Sequence, residues 1–578
     1  MSSKNRFNTY RINSPECKFD LEIHENDYYP YKLENIQKYN PIYSLFLDES
    51  NLETVSPERM ALNHKFHILD LEHIVNTETN ETIQKEVFIK FSPLLDPVRF
   101  LIGKYKSTPQ NSSLRRLPKM EYSEFDHPKL SNPNNASYVD NFFCYLSSQL
   151  LNTHHFKNAI DFYGSLLGVQ EKFKINVIDD IEYLNQSDHF LNTRNELYEM
   201  DEMGDPFANF GSRRNRNKIE IHNQSAVSLF SVEDLEIVDV DGLPPTEECV
   251  LENDSLLYEK NESAEDKTEE YSDDDSSNNS EINYTSDEDE GEGESENSED
   301  SESEGEYSSE SANEDSENDS SEEPSLYAYI KDFPVQMICL EKCEGTLDDL
   351  FIRGEIDEVN GASALFQTIM SLLAYQKAFH FTHNDLHTNN IMYVKTDEEF
   401  LFYKYDGKMY KVPTHGKIFK IIDFGRAIYK FDGRTYCSDS FGPEGDASTQ
   451  YNFGPYMNPK KPRLEPNYSF DLCRLGCSIF DFILDEDFID EDPSEMDELQ
   501  RTIIRWCRDD NGKNILYKTN GDERYPNFKL YKMIARTVHE HTPANQLVDP
   551  YFSQFLCKEK DVPSSSNIVD LDRLPCYA

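Results

Sequence analysis

The sequence predicts an α+β protein: a small strand-rich part with one main helix, a larger helix-rich part, and a long acidic insertion. Alternation of apolar and polar residues dominates 64–91, and helical spacing dominates from Phe470 onward. Residues 251–325 are a low-complexity tract of Ser, Glu, Asp and Asn. Period-two alternation is typical of strands. A tract so poor in apolar residues cannot offset its chain entropy, so we expect it to be disordered.

Shifts in composition predict six segments along the chain. They are an N-terminal extension (1–59), a strand-rich segment (60–189), a polar and acidic disordered insertion (190–325), a connecting strand (326–345), a helix-rich segment (346–556) and a C-terminal tail (557–578). The length of the chain therefore reflects an insertion within one domain rather than several domains.

The charge of the chain is strongly negative and uneven. Residues 251–330 hold 31 acidic and two basic residues, so they contribute more than half of the net charge of −54. Such a surface repels phosphate backbones and anionic membranes, which argues against nucleic-acid binding. No long apolar run or apolar leader is present, and the eleven cysteines are scattered without a CxxC pair. We therefore expect a soluble, monomeric intracellular protein without a disulfide framework.

Strands and one helix are predicted in the first half of the chain. Segments 64–75 and 86–91 alternate in polarity and are expected to pair as antiparallel strands. Segments 159–169 and 173–184 are rich in β-branched and aromatic residues and predict two further strands, split by a polar connection. Segment 136–151 predicts an amphipathic helix whose apolar face carries Val139, Phe143, Leu146 and Leu150.

The second half opens with a buried strand. The apolar run in 333–351 is followed, after Gly345, by a polar helix start. Segment 362–380 predicts a longer helix. Segment 401–412 alternates aromatic residues on either side of Asp406-Gly407, a favoured two-residue hairpin turn.

The most informative stretch is HFTHNDLHTNNIMYV (380–394), which contains His383, Asp385, His387 and Asn390. Further along, Asp423 opens an Asp-Phe-Gly triplet at the end of an apolar strand, and far upstream Lys90 closes the strand VFIK. In this order, the H-x-D-L-x-x-x-N motif, the D-F-G motif and the strand lysine resemble the protein-kinase family.

The resemblance implies a bilobal protein-kinase-like fold that uses ATP and Mg²⁺, with 60–189 as the N-lobe, 326–345 as the hinge strand and 346–556 as the C-lobe. Phosphoryl transfer depends on prepositioned charges more than on covalent help from the protein. By the resemblance, Lys90 would hold the α- and β-phosphates, Asn390 and Asp423 would coordinate Mg²⁺, and Asp385 would be the catalytic base.

The resemblance also assigns residues around the nucleotide base and behind the catalytic loop. Leu340 would lie at the back of the adenine pocket, and Glu341 to Cys343 would offer backbone groups to the base. Asp471, at the start of the helical segment 469–483, would anchor the backbone of the catalytic loop.

Two departures from the family pattern affect the nucleotide site. The first glycine of the chain is Gly103, so no glycine-rich loop precedes Lys90, and a turn around Leu47 to Ser56 is the alternative cover for the phosphates. The family places a glutamate on the first helix, whereas Asp140 is the only acid in 136–151. Asp140 is either the partner of Lys90 or a solvated aspartate favoured by the helix dipole.

Two further departures lie in the catalytic loop. His387 stands where most protein kinases have lysine, and the resulting H-x-D-L-H-x-x-N loop resembles those of haspin and of aminoglycoside and choline phosphotransferases. We consider two roles for His387: an imidazolium on the transferred phosphate, or a neutral hydrogen-bonding group. Asn384 replaces the arginine that pairs with a phosphorylated activation segment, which predicts activity independent of such phosphorylation.

Three functions remain open from the residues. The chain is predicted to be an active Ser/Thr protein kinase, because Lys90, Asp385, Asn390 and Asp423 are all present. A pseudokinase scaffold and a small-molecule phosphotransferase are the alternatives. The acidic insertion binds a basic protein partner or serves as a solvated spacer, and the basic run at 213–218 is a solvated loop or a nuclear signal. The long insertions and segment 85–97 also resemble kinase-like proteins of giant nucleocytoplasmic DNA viruses, which implies a host-cytoplasmic or virion location.

Overall fold

Strands and helices alternate in a mixed α+β arrangement, as the sequence predicts. The structure, a computed structural model, describes residues 10–12, 28–45, 60–105, 114, 116–119, 127–178, 180–201, 326–484, 496–519, 521–526 and 528–578. The strands are β1 (Tyr10–Ile12), β2 (Leu33–Gln37), β3 (Met60–Leu62), β4 (Phe66–Ile68), β5 (His73–Asn76), β6 (Thr82–Gln84), β7 (Val87–Pro93), β8 (Phe162–Asn176), β9 (Tyr198–Met200), β10 (Tyr327–Glu341), β11 (Gly345–Thr346), β12 (Ile391–Lys395), β13 (Phe400–Tyr405), β14 (Lys408–Pro413), β15 (Lys417–Ile421), β16 (Ile428–Phe431), β17 (Arg434–Cys437), β18 (Leu556–Cys557) and β19 (Ile568–Asp570). The α-helices are α1 (Pro97–Leu101), α2 (Pro128–Ser131), α3 (Ala136–His154), α4 (Ile181–Leu184), α5 (Asp188–Thr193), α6 (Leu347–Ile352), α7 (Glu358–Phe379), α8 (Phe470–Ile483), α9 (Glu498–Trp506), α10 (Lys529–Thr537), α11 (Pro543–Gln546) and α12 (Pro550–Ser553).

The main sheet carries the candidate lysine on β7, at one end of its strand order. Its strands follow the order β2-β8-β10-β7, and β9 also pairs with β10. The strand β10 is buried without interruption from Phe333 to Glu341, which explains the continuous apolar run in the sequence. Antiparallel pairing places Lys90 of β7 opposite Ile338 of β10.

The predicted pairing of 64–75 with 86–91 is wrong. Residues 64–75 fold back on themselves as the hairpin β4-β5, which continues into β6, while β7 pairs with β10. The bend is local: the Asp70 carboxylate accepts the Glu72 N–H at 2.9 Å and also bonds the ring of His73. A short polar side chain that bonds its neighbouring backbone favours a turn over an extended strand.

The prediction of two strands in 159–184 is also wrong. Phe162–Asn176 is one strand of 15 residues, and Ile181–Leu184 is a helical turn. Gln170 belongs to the predicted polar connection, yet it is buried and donates to the Pro30 carbonyl at 2.6 Å. This hydrogen bond offsets part of the cost of burying the amide, whose oxygen has no partner among the described residues, and the polar residue does not break the strand.

Helix α3 confirms the predicted helix, but not its amphipathic character. Every residue from Ser137 to Leu150 is buried, including the polar ones. The ring of Phe143 lies 4.3 Å from that of Phe381 and 4.6 Å from that of Phe424, measured between centroids, so the face of α3 away from the sheet is also covered. A helix buried on all sides shows no polar face.

The predicted segment boundaries shift at both ends of the chain. Part of the N-terminal extension belongs to the main sheet, because β2 pairs with β8. The predicted tail is likewise part of the fold: β18 pairs with β14, and β19 pairs with β13. Strand pairing brings these segments into the domain, although the spacing of their apolar residues shows no sustained periodic pattern.

The insertion begins later than predicted. Residues 190–201 include the end of α5 and the strand β9, while 202–325 lie outside the described residues, as does the basic run at 213–218. The Asp201 N–H donates to the Tyr327 carbonyl at 3.2 Å, so the two ends of the segment lie side by side. Residues 202–325 are therefore inserted between neighbouring strands of one sheet.

Predictions for the second half are largely confirmed. The hairpin β13-β14 turns at Asp406 and Gly407, both with positive φ (51° and 68°), as a two-residue turn of this kind requires. Helices α6, α7 and α8 occupy the predicted segments. Within the described part of the chain, no helix is sufficiently long and apolar to cross a membrane.

Candidate active site

Two antiparallel strands bring the predicted cation ligands together. Asn390 directly precedes β12 and Asp423 follows β15 by two residues. The register pairs Ile391 with Ile421, and the Ile422 N–H donates to the Asn390 carbonyl at 3.0 Å. Asn390 and Asp423 therefore lie next to each other at the same end of the strand pair.

The donor set of these two residues suits Mg²⁺. The Asn390 amide nitrogen lies 3.0 Å from the Asp385 carbonyl and 3.0 Å from His387 Nε2, which leaves the amide oxygen for a cation. Asp423 bonds Lys90 through Oδ1, and its Oδ2 makes no hydrogen bond to any described residue. Mg²⁺ prefers oxygen ligands and is often held by one or two carboxylates together with substrate phosphates. No cluster of three His, Cys, Asp or Glu residues in the described ranges is arranged to hold a metal ion.

Lys90 is held between two carboxylates. Its Nζ lies 2.9 Å from Asp140 Oδ2 and 2.8 Å from Asp423 Oδ1, and only 4% of Lys90 is exposed. Burial alone would lower the pKa of Lys90, but the two carboxylates outweigh it and raise that pKa above its ordinary value. The solvated alternative for Asp140 is therefore wrong, because this aspartate is fully buried and is the helix partner of Lys90.

Asp140 also positions the Asp-Phe-Gly triplet. Its second oxygen, Oδ1, accepts the backbone N–H of Phe424 at 2.9 Å. The backbone of Asp423 has a φ of 60°, a left-handed conformation that aspartate tolerates better than most residues. One carboxylate on α3 thus fixes both the lysine and the segment that carries Asp423.

The start of α3 is tied to the chain that follows β17. The Asp439 carboxylate accepts the Ala136 N–H at 3.1 Å and bonds Lys129 Nζ at 2.8 Å. The Asp439 N–H in turn donates to the Asn134 carbonyl at 2.7 Å. These contacts hold the helix in place with groups that belong to the chain itself.

Asp471 holds the backbone of the loop that contains His383 and Asn384. Its two oxygens accept the backbone N–H groups of His383 at 2.9 Å and Asn384 at 2.8 Å. His383 Nε2 lies 2.9 Å from the Ile422 carbonyl, and its Nδ1 accepts the Asp385 N–H at 3.3 Å. Both ring nitrogens of His383 thus bond backbone groups, and the side chain links the loop to the segment before Asp423.

Asn384, which replaces the family arginine, is fully engaged within the protein. Its amide nitrogen donates to the Thr382 and Arg426 carbonyls, and its oxygen accepts the Tyr451 hydroxyl at 2.8 Å. Its φ of 65° is again a conformation that asparagine tolerates well. The position at which the resemblance expects an arginine thus holds an uncharged side chain that is bonded within the protein.

Asp385 lies in a cluster that the sequence did not predict. Its Oδ1 accepts the Tyr531 hydroxyl at 2.6 Å, and the guanidinium groups of Arg474 and Arg426 lie 3.8 and 3.9 Å away. Arg426 also pairs with Asp446. Arg426 directly follows the Asp-Phe-Gly triplet and could have been noticed, but no local signal marks Arg474 or Tyr531.

His387 belongs to the same loop and is buried. Burial lowers its pKa to about 3, which favours the neutral hydrogen-bonding role over the imidazolium role. Its Nε2 faces the Asn390 amide at 3.0 Å, and its Nδ1 has no partner among the described residues. His387 therefore orients Asn390, which corresponds to the second of its two predicted roles.

The predicted hinge residues differ in whether their backbone groups already form hydrogen bonds within the protein. A β-bulge between Cys339 and Leu340 interrupts the pairing of β10 with β8 next to the predicted pocket. The Glu341 N–H already donates to the Asp161 carbonyl at 3.1 Å, so it is not available to a base as predicted. No such backbone hydrogen bond to a described residue is found for Cys343, so its contact with a base stays a prediction.

The Glu341 side chain has a structural role. It accepts the Asp161 N–H at 2.8 Å and pairs with Lys420. Burial favours the neutral acid, but Lys420 and Lys85 outweigh it and hold the pKa of Glu341 below its ordinary value. The ion pair links β10 to β15, which leads into Asp423. Leu47 to Ser56, the predicted cover for the phosphates, lie outside the described residues.

Comparisons with known proteins find similarity over a short stretch of the chain. No family model matches the chain. It is 33% identical to the serine/threonine-protein kinase haspin of Mus musculus over 131 residues, which cover 22% of this chain and 17% of that protein. The Bos taurus haspin is 31% identical over 131 residues, covering 22% and 16%. The Arabidopsis thaliana haspin homolog is 30% identical over 149 residues, covering 24% and 23%. The match thus spans less than a quarter of each relative's length.

Proposed function

We propose that this chain has a bilobal protein-kinase-like fold and transfers the γ-phosphate of ATP, with Mg²⁺, to a serine or threonine hydroxyl of a protein. The supporting observation is the convergence of Lys90, Asp385, Asn390 and Asp423. Lys90 and Asp423 are 333 residues apart in sequence, yet they form a buried ion pair. The similarity to haspin kinases over part of the chain points to the same chemistry.

In the proposed reaction, each of the four residues has a defined task. The acceptor oxygen bonds to the γ-phosphorus, the bond from that phosphorus to the bridging oxygen breaks, and ADP leaves. Asp385 takes the proton from the attacking hydroxyl, and Lys90 pairs with phosphate oxygens. Asn390 and Asp423 would hold Mg²⁺, which neutralises charge that develops on the phosphates.

A scaffold without catalysis is the main alternative, because no glycine precedes Lys90 in the sequence. The ordered ion pairs favour catalysis, since burying charged groups is costly and a scaffold has no use for this arrangement. The net charge of −54 further supports a basic acceptor or partner, since opposite charge accelerates association.

The proposed function is tested by phosphate transfer from γ-labelled ATP, with Mg²⁺ or with excess EDTA. Myelin basic protein serves as a basic acceptor, dephosphorylated casein as an acidic one, and kanamycin and choline as small molecules. We expect label on serine or threonine of the basic protein with Mg²⁺, and none with EDTA. Transfer to kanamycin or choline alone would make the chain a small-molecule phosphotransferase. Nucleotide binding without transfer to any acceptor would make it a scaffold.

Activity is expected to be independent of phosphorylation of the chain. Asn384 bonds Tyr451 directly, and Asp439 holds the start of α3 without a phosphate. Treatment with a broad-specificity phosphatase, followed by its removal, should therefore leave the initial rate unchanged. Mass spectrometry before and after treatment shows whether phosphate was present. A loss of activity that accompanies loss of phosphate from 423–466 would contradict this prediction.

A further inference from the structure

A chain of hydrogen bonds reaches Asp385 from two helices that lie outside the catalytic loop. Arg474 of α8 donates from Nε to the Tyr531 hydroxyl oxygen at 2.9 Å. The same hydroxyl, carried on α10, donates to Asp385 Oδ1 at 2.6 Å. The phenol thus accepts from a cation and donates to a carboxylate.

The phenol is well suited to donate. Burial raises the pKa of Tyr531 above its ordinary value, so the hydroxyl keeps its proton. Hydrogen bonds in a chain polarise one another, and a bond to a charged acceptor is stronger than a neutral one. The guanidinium behind the hydroxyl therefore strengthens its bond to Asp385.

The ring of Tyr531 is fixed from several sides. The guanidinium carbons of Arg474 and Arg426 lie 5.2 and 5.7 Å from its centroid, within the range of cation–π attraction. Phe528 stacks on the ring, with centroids 5.3 Å apart. A ring packed in this way holds its hydroxyl at one position.

The residue at the position where most protein kinases have lysine bonds elsewhere here. His387 faces the Asn390 amide through Nε2, at 3.0 Å. The groups that approach the Asp385 carboxylate include the Tyr531 hydroxyl and two guanidinium groups. The Asp385 carboxylate thus receives support from α8, from α10 and from Arg426, which follows the Asp-Phe-Gly triplet.

We infer that Tyr531, supported by Arg474, is a positioning residue that holds the Asp385 carboxylate in the orientation required to accept the proton of the attacking hydroxyl. This inference rests on the proposed function. It predicts that removal of one hydroxyl group, distant in sequence from the catalytic loop, slows the chemical step without weakening nucleotide binding.

The test is Tyr531→Phe, which removes the hydroxyl and retains the ring. Phosphate transfer to myelin basic protein is measured over a range of ATP concentrations. We expect kcat to fall by about tenfold or more, the typical effect of losing a hydrogen bond to a charged group, with an unchanged KM for ATP. Arg474→Lys should give a smaller fall, because lysine retains the charge but lacks the Nε–H geometry.

The matched control is Tyr551→Phe. The Tyr551 hydroxyl also donates from a helix in the second half, to the Glu358 carbonyl at 2.7 Å, but it does not contact Asp385. Both variants lose one hydrogen bond, so similar falls in melting temperature with a kcat effect confined to Tyr531→Phe would support the inference. If Tyr531→Phe unfolds, the folded Arg474→Lys variant still tests it through kcat.

Three outcomes would overturn the inference, and they are distinguishable. Equal kcat for wild type, Tyr531→Phe and Tyr551→Phe, in an active protein, would contradict the role of Tyr531 and leave the proposed function intact. A higher kcat for Tyr531→Phe would mean that the phenol competes with the acceptor hydroxyl for Asp385. If wild type and Asp385→Asn incorporate equal label, the proposed function fails, and the inference fails with it.

Discussion

Replacement of Asp385 by asparagine is expected to lower the rate of phosphate transfer by about 10²- to 10⁴-fold, the usual contribution of a positioned base. The amide is nearly isosteric with the carboxylate and its oxygen still accepts the Tyr531 hydroxyl, so the side chain keeps its place. It cannot take a proton from the acceptor. The loss should therefore appear in kcat, measured by label transfer at saturating ATP, while Mg²⁺-ATP affinity measured by calorimetry is retained.

Asp349→Asn is a suitable control for the Asp385 variant. Asp349 belongs to the capping box of α6 and accepts the Thr346 N–H at 2.8 Å, away from the Asp385 carboxylate. The Asp349→Asn substitution also changes one carboxylate to an amide, so it shows any general effect of the lost charge on activity. Full activity in Asp349→Asn and loss in Asp385→Asn is the expected pair of results. Equal activity in all three proteins would remove Asp385 from the reaction.

The parts of the site that were predicted from sequence are those with a local motif. Asp385, Asn390 and Asp423 stand in short stretches whose order and spacing resemble a known family, and two paired strands bring them together. Asp471 was also predicted, since it opens a recognisable helix. The role of Asp140 stayed open, because the bond that decides it joins Asp140 to Lys90, 50 positions away on another element.

Tyr531 shows what local patterns do not reveal. It lies on a short amphipathic helix and bonds a residue 146 positions away, and nothing in its sequence neighbourhood separates it from an ordinary packing tyrosine. The same limit explains the error at Gln170, whose amide nitrogen donates to a carbonyl 140 positions away. Polar residues predict turns only where no distant partner is available.

The fold was predicted at the level of class, and the errors lie in strand pairing. Alternation identifies a strand but does not name its partner, so 64–75 was paired with 86–91 rather than with itself. Pairing with distant strands also brought β2, β18 and β19 into the domain. The buried strand β10 and helix α7 were predicted well, because their long apolar runs need no partner to be identified.

The second large effect is expected at Asp140. Its replacement by alanine leaves Lys90 with one carboxylate instead of two and leaves the Phe424 N–H without its acceptor. Breaking a buried ion pair costs about 3–5 kcal/mol of unfolding free energy. We therefore expect a clear fall in the denaturation midpoint together with loss of phosphate transfer.

Two further variants separate charge from shape at this position, and a third variant is a control. Asp140→Asn preserves the size and the acceptor for Phe424 but removes the charge, so transfer should fall, with a smaller loss of stability than in Asp140→Ala. Asp140→Glu restores the residue type that the family places on this helix. We nevertheless expect it to destabilise by about 1–3 kcal/mol, because α3 is buried on every side and has no room for another methylene. Asp161→Asn is the control: this buried aspartate bonds Ser148 of the same helix at 2.7 Å and makes no contact with Lys90.

The coupling between Lys90 and Asp140 decides whether they act as one unit. If they do, Lys90→Met alone should remove most of the activity, and adding Asp140→Asn should cost little more, since groups that work together are not additive. Independent roles would instead give multiplied losses in the double variant. Full activity in Asp140→Asn would show that Asp423 suffices to hold Lys90, and that the second carboxylate serves only to dock α3 against Phe424.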